Sequence, residues 1–213
     1  MDIKFDLRVV ELLFSRVCHD LVGPVGAALN GVELLEEYGG EMADEALGLL
    51  GNSARVASRR LKVYRVAYGM AAGAAVSSLA DVRSLVQEFI EGSKVTLDWP
   101  DSAIPQIAVD RNGIKLILNT MILAAECLPR GGAIGFRIEP DGNNSKCTIT
   151  AKGQGARLVD GVAEAMQPDA QIDRLDPRTV HSYYLGRFAQ VHQANLTRTD
   201  QPDLVTFTGQ INS

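Results

Sequence analysis

The stretch LRVVELLFSRVCHDLVGPVGAALNGVELLEEY, residues 7 to 38, decides the fold. Leu7, Phe14, Leu21, Ala28 and Leu35 recur every seven residues, and Val10 and Val17 fill intermediate positions until Pro24 interrupts. An apolar residue at this period marks one side of a long helix, in the manner of a coiled-coil stripe. Tyr38-Gly39-Gly40 ends it, since glycine readily takes the left-handed conformation that closes a helix. A second helix follows, with Leu47, Leu50, Ala54, Ala57, Leu61, Tyr64 and Tyr68 spaced alternately by three and four. Arg55, Arg59 and Arg60 lie off that stripe and read as a solvated face. The short connection makes the two helices antiparallel neighbours. Each presents a long apolar seam, and a two-fold partner hairpin would bury both, giving a dimeric four-helix bundle.

The segment from Gly69 to Val76 is rich in small residues and marks the boundary between a helical domain (1–72) and a second domain (77–213). Beyond it the grammar is mixed. Helices are predicted over 79–91, 112–128 and 178–193. Strands are predicted over 95–99, 133–138 and 146–151, with a final hairpin of 195–199 and 204–211. This order predicts an α+β sandwich with helices on one face of a mixed sheet.

Composition narrows the function. The chain has 213 residues and a net charge of -5, which argues against nucleic acid as a main partner. Cys18, Cys127 and Cys147 are scattered without paired spacing, so neither a zinc site nor a disulfide framework is suggested. Cys18 reads as a packing residue. His181 and His192 read as surface or packing residues, and Trp99 as core or interface. There is no run of 18 apolar residues, and the start MDIKFD places acids where a secretory leader has a basic region. The expectation is a cytoplasmic protein with no membrane partner.

His19 falls two residues from Val17 and two from Leu21, so it projects roughly 200° from each, away from the seam. Beneath it lie Val22 and Gly23, then Gly26 and Ala27, then Asn30. A solvent face ordinarily carries lysine and glutamate; this one has almost no long side chains. Glycines inside a helix cost about 1 kcal/mol each against alanine, and Gly31 and Pro24 add to that. A helix that tolerates this is open to close approach by another protein. Val22, Gly23, Gly26, Ala27 and Asn30 are therefore the expected docking face. Neutral imidazole is a good nucleophile toward phosphorus near pH 7. Asp20 can hold the proton of one ring nitrogen and leave the other free to attack. Phosphoryl transfer demands mainly positioning and charge neutralisation.

The run His19-Asp20-Leu21-Val22-Gly23-Pro24 resembles the H-box of sensor histidine kinases. Its extension through Asn30 to Leu35 is similar to the ChpT family of alphaproteobacterial histidine phosphotransferases. The resemblance implies a dimerisation hairpin followed by a degenerate histidine-kinase-type ATP-binding domain. In kinases a helix carries two asparagines four residues apart; Asn119 matches the first, and Leu123 stands at the second. The kinase Asp-x-Gly-x-Gly motif is matched by Ala151-Lys-Gly153-Gln-Gly155, with alanine for aspartate. Leucine cannot ligate Mg²⁺ and alanine cannot accept a hydrogen bond. Residues 156 to 180 show no second glycine-rich lid. The resemblance implies no stably bound cofactor, with Mg²⁺ supplied at the partner's receiver domain. It further implies a CckA-like hybrid kinase as donor, and CtrA-like and CpdR-like response regulators as acceptors. An ATP-dependent kinase and a receiver-binding scaffold without phosphorylation remain the alternatives.

Overall fold

The computed structural model describes residues 6–69, 76–99, 109–142 and 144–212. The predicted domain boundary falls largely on residues 70–75, and one residue of the predicted 141–144 turn is Asn143; both lie outside the described residues. Helix α1 runs unbroken from Leu7 to Tyr38 with Pro24 inside it, and a 3₁₀ turn (Gly39–Met42) leads to α2, Ala43–Ala67. The Asp6 carboxylate accepts the Arg8 N–H at the start of α1. Gly39, at φ 55°, closes the helix as expected and donates its N–H to the Leu35 carbonyl.

The seam differs from its prediction. Leu7 and Phe14 are 70% and 67% exposed, whereas Leu21, Ala28 and Leu35 are half-buried. A strict seven-residue repeat drifts about 20° per heptad on a straight helix. Over four heptads the stripe moves from an outer face onto the face that meets α2. Likewise Leu47 and Leu61 of α2 are exposed, and its buried line runs through Ala46, Ser53, Val63 and Ala67. Gly31, read from sequence as part of an accessible face, is buried at the helix crossing. A Cβ there would lie 3.0 Å from the Ala46 carbonyl oxygen and the Leu50 nitrogen. Its glycine permits two backbones to meet.

Helix α3 (Leu79–Ile90) opens with a capping box between Ser78 and Asp81. Strand β1 (Val95–Asp98) follows, then α4, Arg111–Glu126. The hairpin β2 (Gly132–Asp141) and β3 (Asn144–Lys152) leads to a short α5, Val162–Ala165. A 3₁₀ turn (Ile172–Arg174), α6 (Val180–Val191), β4 (Thr197–Gln201) and β5 (Leu204–Asn212) complete the fold. The sheet order is β1-β2-β3-β5-β4, parallel only between β1 and β2. Alternate residues Ile134, Phe136 and Ile138 of β2, and Cys147, Ile149 and Ala151 of β3, point into the core. Trp99 is buried there, its ring against Phe136 at 3.8 Å between centroids.

Helix α4 is buried on every side from Gly113 to Ala124, because it touches the sheet, α3, α6 and the end of α2. Val63, Tyr64, Val66 and Ala67 belong to the same continuous core as the sheet. The hairpin is thus joined to the α/β unit by apolar packing. An 18-residue window within Leu7–Ala67 reaches a mean hydropathy of 1.2, a level at which a helix can cross a membrane by composition alone. Its apolar residues are gathered into stripes rather than spread around the helix, the pattern of a helix that packs on one side.

Candidate functional site

Pro24 has no N–H, so the carbonyl four residues before it, that of Asp20, loses its helical partner. Arg60 of α2 reaches across and donates a guanidinium N–H to that carbonyl. This is how α1 passes through Pro24 without breaking. The Asp20 side chain is held as well: the Tyr64 hydroxyl donates to Oδ2, while Oδ1 lies 3.3 Å from Nδ1 of His19. Burial, then the neighbouring Asp20 carboxylate, raises the Tyr64 phenol well above its ordinary range, so it remains a donor. With Nδ1–H donating to Asp20, Nε2 of His19 carries the free lone pair. The His19 side chain is 86% exposed.

Of the predicted docking residues, Val22, Gly23, Gly26 and Asn30 are exposed and Ala27 is half-buried. Beyond the adjoining residues and backbone of α1 itself, a Cβ built on Gly23 or Gly26 would meet nothing within 4 Å, so that face is open. Val22 lies toward a second surface, where Val25, Leu29 and Val32 are also exposed. Cys18 is exposed, not packed as expected, because it shares that outer side. The arginines of α2 are not uniformly solvated. Arg59 pairs with Glu91, Arg60 is spent on Asp20, and Arg55 is exposed.

On the other side of His19 a cleft of about 740 Å³ opens between the hairpin and the α/β unit. Its walls include Arg16, Asp20, Tyr64, Glu126 and Arg178. Arg16 pairs with Glu126 of α4 and donates to the carbonyls of Pro177 and Arg178 at 3.4 and 3.3 Å. Burial disfavours the Arg16 charge, but Glu126 and the nearby tyrosines outweigh it, and the net shift is upward. Arg8 donates to the carbonyls of Ile172, Asp173 and Leu175, each at 3.2 Å. Val9, Ala165, Leu175 and Val180 form a small apolar cluster beside these bonds. Residues 172–180 therefore strap the α/β unit onto the first turns of α1. Sequence reasoning missed this strap, and noted only that residues 156 to 180 hold no second glycine-rich lid.

The residues compared with a kinase ATP site have structural roles. Leu123 and Ala151 are buried in the core. The Asn119 amide donates to the carbonyls of Ala67 at 3.1 Å and Lys115 at 2.8 Å, tying α4 to the end of α2. Gly153 packs so closely that a Cβ would lie 2.4 Å from the Gly131 carbonyl oxygen, and Gly155 (φ 72°) donates its N–H to Asp203 at 2.7 Å. Both glycines serve a turn. Among the described residues no group of three His, Cys, Asp or Glu side chains is placed to hold a metal ion.

His181 is fully buried, a packing residue and not a surface one, whereas His192 is half-buried against Phe188. Nε2 of His181 faces the Asn119 carbonyl at 3.0 Å, which can only accept, so that nitrogen bears the proton. Nδ1 then accepts from the Tyr68 hydroxyl at 2.7 Å. Burial, then the charge of Arg16, pushes the imidazole down to about 3. Its folded pKa thus lies below the ordinary value near 6.5, and the unfolded chain binds the extra proton between these limits. This contribution to stability is complete above about pH 6.5 and falls as pH drops toward 3, by up to about 1.4 kcal/mol per pH unit. Urea melts between pH 7 and pH 4.5 are expected to show His181→Asn with the shallower pH dependence. The comparison separates the histidine from Glu126, whose carboxyl is raised by burial and acts in the opposite direction.

A model of the histidine phosphotransferase C-terminal domain matches residues 79–202. The protein phosphotransferase ChpT of Brucella abortus (strain 2308) is 34% identical over 179 residues, spanning 84% of this chain and 83% of that one. The chain belongs to the ChpT-like histidine phosphotransferase family. A solved bacterial phosphotransferase, 30% identical, covers 98% of both chains with a TM-score of 0.80. The likeness spans the hairpin as well as the α/β unit, which is the α+β architecture expected from sequence. For a histidine phosphotransferase, the histidine on open display is His19; His181 is sealed in the core and His192 is half-buried against a phenylalanine ring.

Proposed function

We propose that this phosphotransferase shuttles a phosphoryl group between receiver-domain aspartates through phospho-His19. The observation that supports it best is the exposed His19 ring with Nδ1 turned to an Asp20 fixed from α2, beside an open helix face. Nε2 attacks the phosphorus of the donor's aspartyl phosphate. The P–O bond to the donor carboxylate breaks as the N–P bond forms. Asp20 balances the positive ring that results. In the second step an acceptor aspartate attacks the same phosphorus, the N–P bond breaks, and neutral His19 returns with its proton on Nδ1. The receiver's own acids hold the Mg²⁺ that neutralises charge on the transferring group. Donor and acceptor are the receiver domains of a hybrid histidine kinase and of response regulators, and the exchange is cytoplasmic.

The working form is a homodimer. Leu7, Phe14, Val25, Leu29, Leu47 and Leu61 leave an apolar surface on the hairpin, with a groove of about 480 Å³ between Val25, Ala54 and Leu61. A second copy would bury it as a four-helix bundle. In this reading the α/β unit does not use ATP: the leucine at 123 and the alanine at 151, both buried, offer no polar side chain where the resembled kinases carry an asparagine and an aspartate. The test is a relay reconstituted from a labelled donor receiver, a tenth as much of this chain, and an acceptor receiver. Label is expected on the acceptor only when the chain is present. An acceptor labelled equally well without it would overturn the proposal.

A further inference from the structure

We infer that Tyr64 is a positioning residue for phosphoryl transfer, holding Asp20 so that its second oxygen faces His19; this rests on His19 as the carrier. Asp20 is flanked by two different contacts. One oxygen meets Nδ1 of His19 at 3.3 Å in the exposed part of the site, and the other accepts the Tyr64 hydroxyl. A carboxylate next to an exposed histidine has several rotamers open to it, and only some bring an oxygen to Nδ1. The phenol selects among them. Tyr64 is itself immobile: it is buried, its ring stacks on Tyr68 at 5.6 Å between centroids, and Tyr68 is tied by its hydroxyl to His181. Arg60, one turn earlier on α2, fixes the Asp20 backbone. The orientation of the acid beside His19 is therefore set by the rigid junction of α2 with the α/β unit, and not by α1 alone.

The chemical consequence is specific. With Tyr64 donating to Oδ2, Asp20 presents Oδ1 as an acceptor toward Nδ1, and the Nδ1 proton stays on the ring. His19 is held in the tautomer whose Nε2 is nucleophilic. Tyr64→Phe removes one oxygen and keeps the ring packing. Asp20 then turns freely, and His19 samples both tautomers and more ring orientations. A hydrogen bond to a charged group of this kind corresponds to a change of about tenfold or more in rate.

The experiment uses the full chain and a receiver domain loaded with acetyl phosphate and Mg²⁺, in single turnover. Tyr64→Phe is expected to lower the saturating rate of His19 labelling about tenfold, with the half-saturating receiver concentration unchanged. Asp20→Asn breaks the same contact from its exposed end, and the double variant is expected to be no slower than Asp20→Asn alone. Ring ¹⁵N spectra at pH 8 are expected to show His19 leaving the Nδ1–H tautomer in Tyr64→Phe. A wild-type rate with an unchanged tautomer overturns the inference, as does a double variant slowed by the product of the two single effects. If the wild type takes no label on His19, the carrier reading fails and the inference with it. If it does take label and Tyr64→Phe is as fast, the inference alone fails.

Discussion

His19→Ala is expected to take no label from a phosphorylated receiver, to pass none to an acceptor, and to melt within a degree or two of the wild type. The His19 ring buries almost nothing, and its polar contact in the structure is the 3.3 Å approach to Asp20. Alanine is the best helix former, so the exchange favours the helix by a few tenths of a kcal/mol. Asp20 keeps its bond from Tyr64, and its carbonyl keeps Arg60. Loss of transfer with an intact fold therefore separates chemistry from structure at this position. Autoradiography after mixing with a labelled receiver, beside a thermal melt by circular dichroism, reads both. Retention of label by the variant would assign the phosphoryl group to another residue.

The largest loss of stability is expected at the junction of hairpin and α/β unit. Arg16→Met leaves Glu126 without its cation and frees the carbonyls of Pro177 and Arg178. Breaking a buried ion pair from one side costs about 3–5 kcal/mol. The Glu126 side chain is 32% exposed and gains some water, so about 2–3 kcal/mol is expected here. For a chain of this size that lowers Tm by roughly 5–10 °C. The partner variant Glu126→Leu is expected to be destabilising alone, and the double variant less so than the sum, since an apolar pair leaves no charge stranded. Melts of the four proteins measure this coupling. Strict additivity would mean that the ion pair contributes nothing to the junction.

Much of this was legible in the sequence. Glycines 39 and 40, the apolar period and the turn residues located the strands and every helix but the four-residue α5 to within a few residues, because each signal is local. His19 was legible for the same reason: its exposure follows from helix phase. The face of Leu7 and Phe14 was misjudged because phase accumulates. A drift of about 20° per heptad is negligible between neighbours and decisive over four repeats.

The contacts that fix Asp20 come from two residues 40 and 44 positions away, and no spacing rule reaches that far. One clue was nevertheless present. Pro24 in a long helix requires another donor for the Asp20 carbonyl, and an arginine on the adjacent antiparallel helix is an obvious candidate. The strap over α1 left no comparable trace. Arg8 grips three backbone carbonyls, and any sequence supplies those. Leu123 and Ala151 were read for what they lack, and Asn119 as half of a kinase motif. The structure gives Asn119 a different task, joining α4 to the last turn of α2.

In the proposed relay the phosphoryl group reaches His19 from another protein's aspartate and not from ATP bound in this chain. One paired measurement tests it most directly. The purified chain, with Mg²⁺, is incubated in one vessel with γ-labelled ATP and in another with a receiver domain carrying a labelled aspartyl phosphate. Alkali-stable, acid-labile label is expected on the chain from the receiver within seconds, and none from ATP over an hour. Label arriving from ATP alone would contradict it.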